Sequence, residues 1–120
     1  MEKRIYHKEL AAGRWKELSL IEQMGNIGSE VGRTFKYFKQ NDKIGFEISF
    51  EKAIELFDLT LDDERWKDKI NKITETRELF CSLVTNTIYT DELEKKMNNL
   101  DDYFLRIGAI ANEKRHKNRN

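Results

Sequence analysis

Residues 20–38 read LIEQMGNIGSEVGRTFKYF, and the spacing of their apolar side chains decides the fold. At about 100° per residue, Leu20, Met24, Ile27, Val31, Phe35 and Phe38 fall within one arc of roughly 80°. With Trp15 and Leu18 the stripe predicts one long helix, from about Gly13 to about Gln40. The stretch before it, Ile5 to Ala12, reads as a short separate helix or an extra turn, with Gly13 marking a break.

The helical period returns downstream. Asn41-Asp42-Lys43 is a polar turn, and Gly45 permits an unusual backbone beside it. Phe46, Phe50, Ala53, Ile54, Phe57 and Leu61 then predict a second helix over 46–61. Asp62-Asp63-Glu64 places negative charge at the start of the next helix, where the dipole favours it, with Thr60 or Asp62 as N-cap. Trp66, Ile70, Ile73, Phe80, Leu83 and Val84 mark a third helix ending near Thr85-Asn86-Thr87. Thr90 is the expected N-cap of the fourth, with Asp91 and Glu92 in its first turn. Leu93, Met97, Leu100, Phe104, Ile107 and Ala111 give the cleanest stripe in the chain. Four amphipathic helices with short connections predict an all-α fold, an antiparallel up-and-down four-helix bundle with room for a short extra N-terminal helix. One domain is expected over 1–112, followed by a frayed basic tail over 113–120.

Composition agrees and excludes several classes. The 120 residues contain no proline, 22 Lys+Arg and 22 Asp+Glu, so the formal net charge is zero. A neutral chain is poorly suited to wrapping nucleic acid over its whole surface. No apolar run approaches the roughly 20 residues of a membrane span. Glu2, Lys3, Arg4, His7, Lys8 and Glu9 crowd the region where a signal peptide has its apolar centre. The single cysteine makes no internal disulfide. A cytoplasmic protein that does not enter the membrane is the expectation.

Candidate functional residues fall into four groups. Gly25, Gly28 and Gly32 line one flank of the first stripe, although glycine within a helix costs up to about 1 kcal/mol relative to alanine. Something approaches that backbone closely: a neighbouring helix of the same chain, a second subunit, or a ligand. Glu22, Asn26 and Arg33, with Ser29, form a polar arc nearly opposite the stripe, a solvated face or a recognition face. Arg77 interrupts the third stripe between Ile73 and Phe80. Its guanidinium needs a carboxylate such as Glu51, Glu55 or Asp58 if buried, or binds a phosphate or substrate carboxylate if functional. Lys114, Arg115, His116, Lys117 and Arg119 are candidate phosphate contacts.

Signals for catalysis are sparse. His7 and His116 stand at opposite ends of the chain, and Cys81 lies beside the core stripe as a small hydrophobe. There is no Cys/His spacing for zinc, no pair of Glu-x-x-His motifs for a di-iron bundle and no phosphate-binding glycine loop. Glu22 and Glu30 do not share a face, which argues against a magnesium-dependent nucleotide pyrophosphohydrolase. No metal, cofactor or catalytic residue is expected.

Two family resemblances rest on short segments. Arg14-Trp15-Lys16-Glu17-Leu18, a polar turn, and Ser49-Phe50-Glu51-Lys52-Ala53-Ile54-Glu55-Leu56 together resemble the first two helices of the HEPN superfamily, about half of the chain. That superfamily includes toxin ribonucleases and partners of minimal nucleotidyltransferases. HEPN ribonucleases carry an Arg and a His a few residues apart near the domain end. Here Arg106 and His116 are too far apart and Arg115-His116 are adjacent, so no catalytic residue carries over. The segment Ser19 to Ile27, with the chain's size and helix number, resembles the four-helix-bundle proteins of ribosomal RNA intervening sequences and the related retroelement accessory proteins. That likeness implies an oligomer associated with nucleic acid. The leading expectation is a non-enzymatic bundle that binds a protein partner, most simply a second copy of itself. The alternatives are a HEPN-like ribonuclease and a nucleic-acid-binding accessory protein.

Overall fold

The computed structural model describes residues 5–86 and 88–117, the last three by backbone alone. The described residues form helices and turns, with no strand. The α-helices are α1 (Lys8–Ala11), α2 (Leu20–Lys39), α3 (Lys43–Leu61), α4 (Ile70–Val84) and α5 (Asp91–Lys117). Short 3-10 helices occupy Arg14–Glu17 and Glu64–Lys69. No helix is long and apolar enough to cross a membrane among the described residues.

The long helix expected from Gly13 is in fact two elements. Leu18 is extended, at φ −88° and ψ 147°, and Ser19 starts α2 as its N-cap. Ser19 Oγ accepts from the Glu22 amide and Glu22 Oε1 accepts from the Ser19 amide, both at 3.2 Å. This capping box satisfies two donors that a continuous helix would have satisfied internally. Gly13, at φ +131°, adopts a backbone that side-chain-bearing residues rarely reach, and it separates α1 from the 3-10 turn.

The other boundaries shift less. Asp42 caps α3 by accepting from the Gly45 amide at 2.9 Å, so this helix begins at Lys43, three residues before the expected start at Phe46. The carboxylate of Asp63, rather than Thr60 or Asp62, accepts from the Arg65 amide and starts the next element. The chain then bends at Trp66, at φ −104° and ψ 23°, before α4. Thr90 Oγ1 accepts from the Leu93 amide at 3.1 Å, as its N-cap role requires. The tail expected to fray after Asn112 is helical through Lys117.

One core joins the long helices. Ile27, Val31 and Phe35 of α2 meet Ala53, Leu56 and Phe57 of α3, Ile73 and Phe80 of α4, and Met97 and Phe104 of α5. Phe80 lies at its centre, with ring centroids 5.8 Å from Phe35, 5.5 Å from Phe50 and 6.1 Å from Phe57.

Helix spacing follows side-chain size. On α2, Gly28 faces Phe104, and a Cβ added there would lie 2.5 Å from Phe104 Cβ. Gly25 faces the backbone of Gly108, and Gly32 faces Asp101 Oδ1. These small residues let α2 and α5 approach closely. Helix α4 packs against its neighbours through fewer residues than α2 does against α3 and α5. The phenylalanines around Phe80 stand between α4 and the rest.

The glycines differ sharply in what surrounds them, so their alanine variants should diverge. Gly28→Ala should lower stability by about 1–3 kcal/mol, because the Phe104 Cβ cannot move without α5. Gly108→Ala, with nothing within 4 Å of the added carbon, should raise it by about 0.5–1 kcal/mol. Chemical denaturation of the two variants checks both signs.

Candidate functional site

Three features of the surface have the geometry to do something: a groove between α4 and α5, an aromatic cleft at one end of the long helices, and a polar cluster at the other end.

The polar cluster is joined by side-chain hydrogen bonds. Gln23 is completely buried. Its Nε2 donates to the Trp15 carbonyl at 2.8 Å and to Asp63 Oδ2 at 3.0 Å, while its Oε1 accepts from Trp66 Nε1 at 3.0 Å. Trp15 Nε1 donates to Thr60 Oγ1 at 2.9 Å. Arg65 grips Asp63 through Nε and Nη2, donates to the Leu18 carbonyl at 2.8 Å, and stacks on Trp66 at 4.4 Å. Arg65 is the main reason that the Asp63 carboxyl sits at about 2, below its ordinary 3.8; Gln23 adds to the effect and burial opposes it. None of the cluster's buried side-chain polar atoms lacks a hydrogen-bond partner, and the bonds join its members to one another. The cluster ties the 3-10 turn at Trp15 and the start of α2 to the α3–α4 connection. Apolar spacing does not reveal it, because Gln23 and Asp63 are polar residues outside the stripes. Trp15 and Trp66 are the members the stripes mark.

The N-terminal segment is strapped to α3. The Tyr6 and His7 amides donate to the two Glu55 oxygens at 2.8 and 2.7 Å, and the His7 ring Nδ1 lies 2.9 Å from Glu55 Oε1. The Tyr6 hydroxyl donates to Glu51. Two of the three carboxylates considered for Arg77 are therefore engaged here. Arg77 takes the third: its Nε lies 3.2 Å from Asp58 Oδ1, off the line of a hydrogen bond, with both side chains partly in solvent. The arginine lies at the edge of the core, not within it. Burial pushes the nearby Cys81 thiol above its ordinary pKa, partly offset by Arg77.

The polar arc of α2 lies outward. Asn26 and Arg33 are exposed and Glu22 is half-buried in the capping box. The Asn26 amide donates to the Glu22 carbonyl at 2.8 Å, and Arg33 Nη1 to Glu30 Oε1 at 2.7 Å. Gly25, Gly28 and Gly32 do not join this arc at a separate face, since they lie against α5 of the same chain. Lys114 is exposed near the end of α5, while the side chains of Arg115, His116 and Lys117, and Arg119 altogether, lie outside the described residues.

The groove between α4 and α5 encloses about 810 Å³. Its floor is apolar, made by Leu83, Leu93 and Leu100, all buried. Leu79 and Tyr103 stand on opposite walls and remain 44% and 39% exposed. Lys72, Thr76 and Ser82 on α4, and Glu92, Lys96 and Asn99 on α5, give the rim polar groups. The apolar spacing marks every floor residue, but not that α4 stands away from α5. The aromatic cleft, about 670 Å³, lies beside the α2–α3 turn and is lined by Tyr37, Phe38, Phe46 and Tyr89 between Lys39 and Lys43. Burial and the neighbouring Glu94 raise the Tyr89 pKa.

No group of three or more His, Cys, Asp or Glu side chains among the described residues has the geometry to hold a metal ion. Comparisons of the chain with protein-family models, curated proteins and solved structures find no match.

Two measurements test the electrostatics. Because the folded Asp63 carboxyl has the lower pKa, it contributes stability above pH 4 that disappears as pH falls toward 2. The contribution is on the order of 2 kcal/mol. Melting temperature should therefore fall over that interval in the wild type and fall less in Asp63→Asn. The partly exposed Arg77–Asp58 pair should show a coupling below about 1 kcal/mol in a double-mutant cycle, since solvent screens it. A coupling of several kcal/mol would mean that the pair is buried in solution.

Proposed function

We propose that this chain is a non-enzymatic interaction protein, an up-and-down bundle of α2 to α5 that works by self-association through its α4–α5 face. The observation that carries this reading is the groove between those helices. It joins a leucine floor to the exposed Leu79 and Tyr103, an apolar surface that water covers at a free-energy cost and that a second protein surface relieves. Exposed Ile70 on α4 and Ile110 on α5 belong to the same two helices. A ridge from a partner entering such a groove is a common way for helical proteins to recognise one another.

A nucleic-acid-binding accessory role is the second reading. The continuation of α5 from Lys114 to Lys117 supports it, because basic residues on a helix are held in fixed spacing. The zero formal charge of the chain weighs against it.

Light scattering on a gel-filtration column separates these readings. Self-association predicts a mass near twice 14.3 kDa at high micromolar concentration, reduced to the single mass by Leu79→Glu with helical content unchanged. A single-chain mass for the wild type at every concentration would overturn the reading.

A further inference from the structure

Residues 5–12 are held to the bundle by polar contacts more than by packing. None of α1 is buried, and Leu10 is its one residue partly buried against the core. The first buried side chain among the described residues is Trp15, fixed by its bond to Thr60. The fastening falls on one turn of α3. Glu55 accepts the Tyr6 and His7 amides at 2.8 and 2.7 Å and faces the His7 imidazole at 2.9 Å. The Tyr6 hydroxyl donates to Glu51, and the Lys52 ammonium lies 5.7 Å from the centre of the Tyr6 ring. Beyond these contacts the backbone bonds are local: the Ala11 and Ala12 amides donate to the His7 and Lys8 carbonyls.

Glu55 belongs to a row of acids. Glu47, Glu51, Glu55, Asp58 and Asp62 recur at intervals of four, four, three and four residues, which places them within about 80° of one another around α3. Glu47, Glu51 and Asp62 are exposed and Asp58 is half-buried, while the Glu55 side chain is only 10% exposed. Position on the helix does not bury Glu55; the segment lying over it does. When that segment lifts, the carboxylate returns to water, so no unpaired charge is stranded in the core. Gly13 supplies the pivot. Its φ of +131° is open to glycine and rarely to other residues, and nothing lies within 4 Å of a Cβ built there. From these observations we infer that residues 5–12 are a strap that opens and closes as a unit on the folded bundle, with Glu55 as its latch and Gly13 as its hinge. Closed, it hides the centre of the acidic row on α3. Open, it presents that row continuously.

Amide hydrogen exchange followed by NMR tests the strap. In the wild type the Tyr6, His7, Ala11 and Ala12 amides should share one protection factor, at least about a hundredfold below those of Ile27 and Phe57 in the core. Glu55→Gln keeps the size of the side chain but removes its charge and one acceptor. It should speed the strap amides together by about tenfold or more and leave Ile27 and Phe57 unchanged. Glu51→Gln, which reaches the strap through the Tyr6 hydroxyl, should change them less. Trypsin cleavage after the exposed Lys8 should quicken in parallel with Glu55→Gln. Unchanged exchange at Tyr6 and His7 in that variant would overturn the latch. Strap and core amides equally protected in the wild type, or quickened by the same factor in the variant, would overturn opening as a separate unit.

Discussion

The buried amide of Gln23 is the constraint on which the rest of the arrangement depends. Its two N–H groups and its carbonyl join three parts of the chain: the 3-10 turn at Trp15, the start of α2, and the α3–α4 connection at Asp63 and Trp66. A fully buried amide is costly unless its donors and acceptor are matched, and here the matching requires all three segments in one geometry. Arg65 extends the same restraint by holding Asp63 and reaching back to the Leu18 carbonyl. The bend at Trp66 is thereby fixed, and with it the direction in which α4 leaves.

Two kinds of helix contact then share the interior. Where α2 meets α5, glycines bring the backbones together, with Phe104 seated over Gly28. Where α4 meets the core, Phe80 and its neighbouring rings fill the space and hold the helix off. Small residues draw helices close and large ones separate them, so a core closed on one side stays open on the other. The glycines invite a reading as a docking face, yet they are spent on packing within the chain. The surface proposed for a partner lies between α4 and α5, over the leucine floor.

Arg77 illustrates how position in a stripe differs from burial. Its place between Ile73 and Phe80 on the helical wheel puts it on the core side of α4. Its long side chain carries the charge to the edge, where Asp58 and solvent share it. Glu55, another reachable carboxylate, is occupied by two backbone amides and an imidazole from the N-terminal segment, a contact across nearly fifty residues that no local pattern encodes.

The amino-acid sequence by itself determined the helical content, the core residues of α2 to α5 apart from Ile70, which is exposed, and the Thr90 cap, because these depend on periodicity and on hydrogen bonds within one turn. The same local chemistry contained the Ser19–Glu22 capping box, although the continuous apolar stripe from Trp15 concealed it. Tertiary structure alone decided the Gln23 cluster, the strap on Glu55, the partner of Arg77 and the opening between α4 and α5. Those features depend on distances between segments far apart in the chain. Such distances are set by which side chains, glycine or phenylalanine, come to lie between two helices when both pack on the same core.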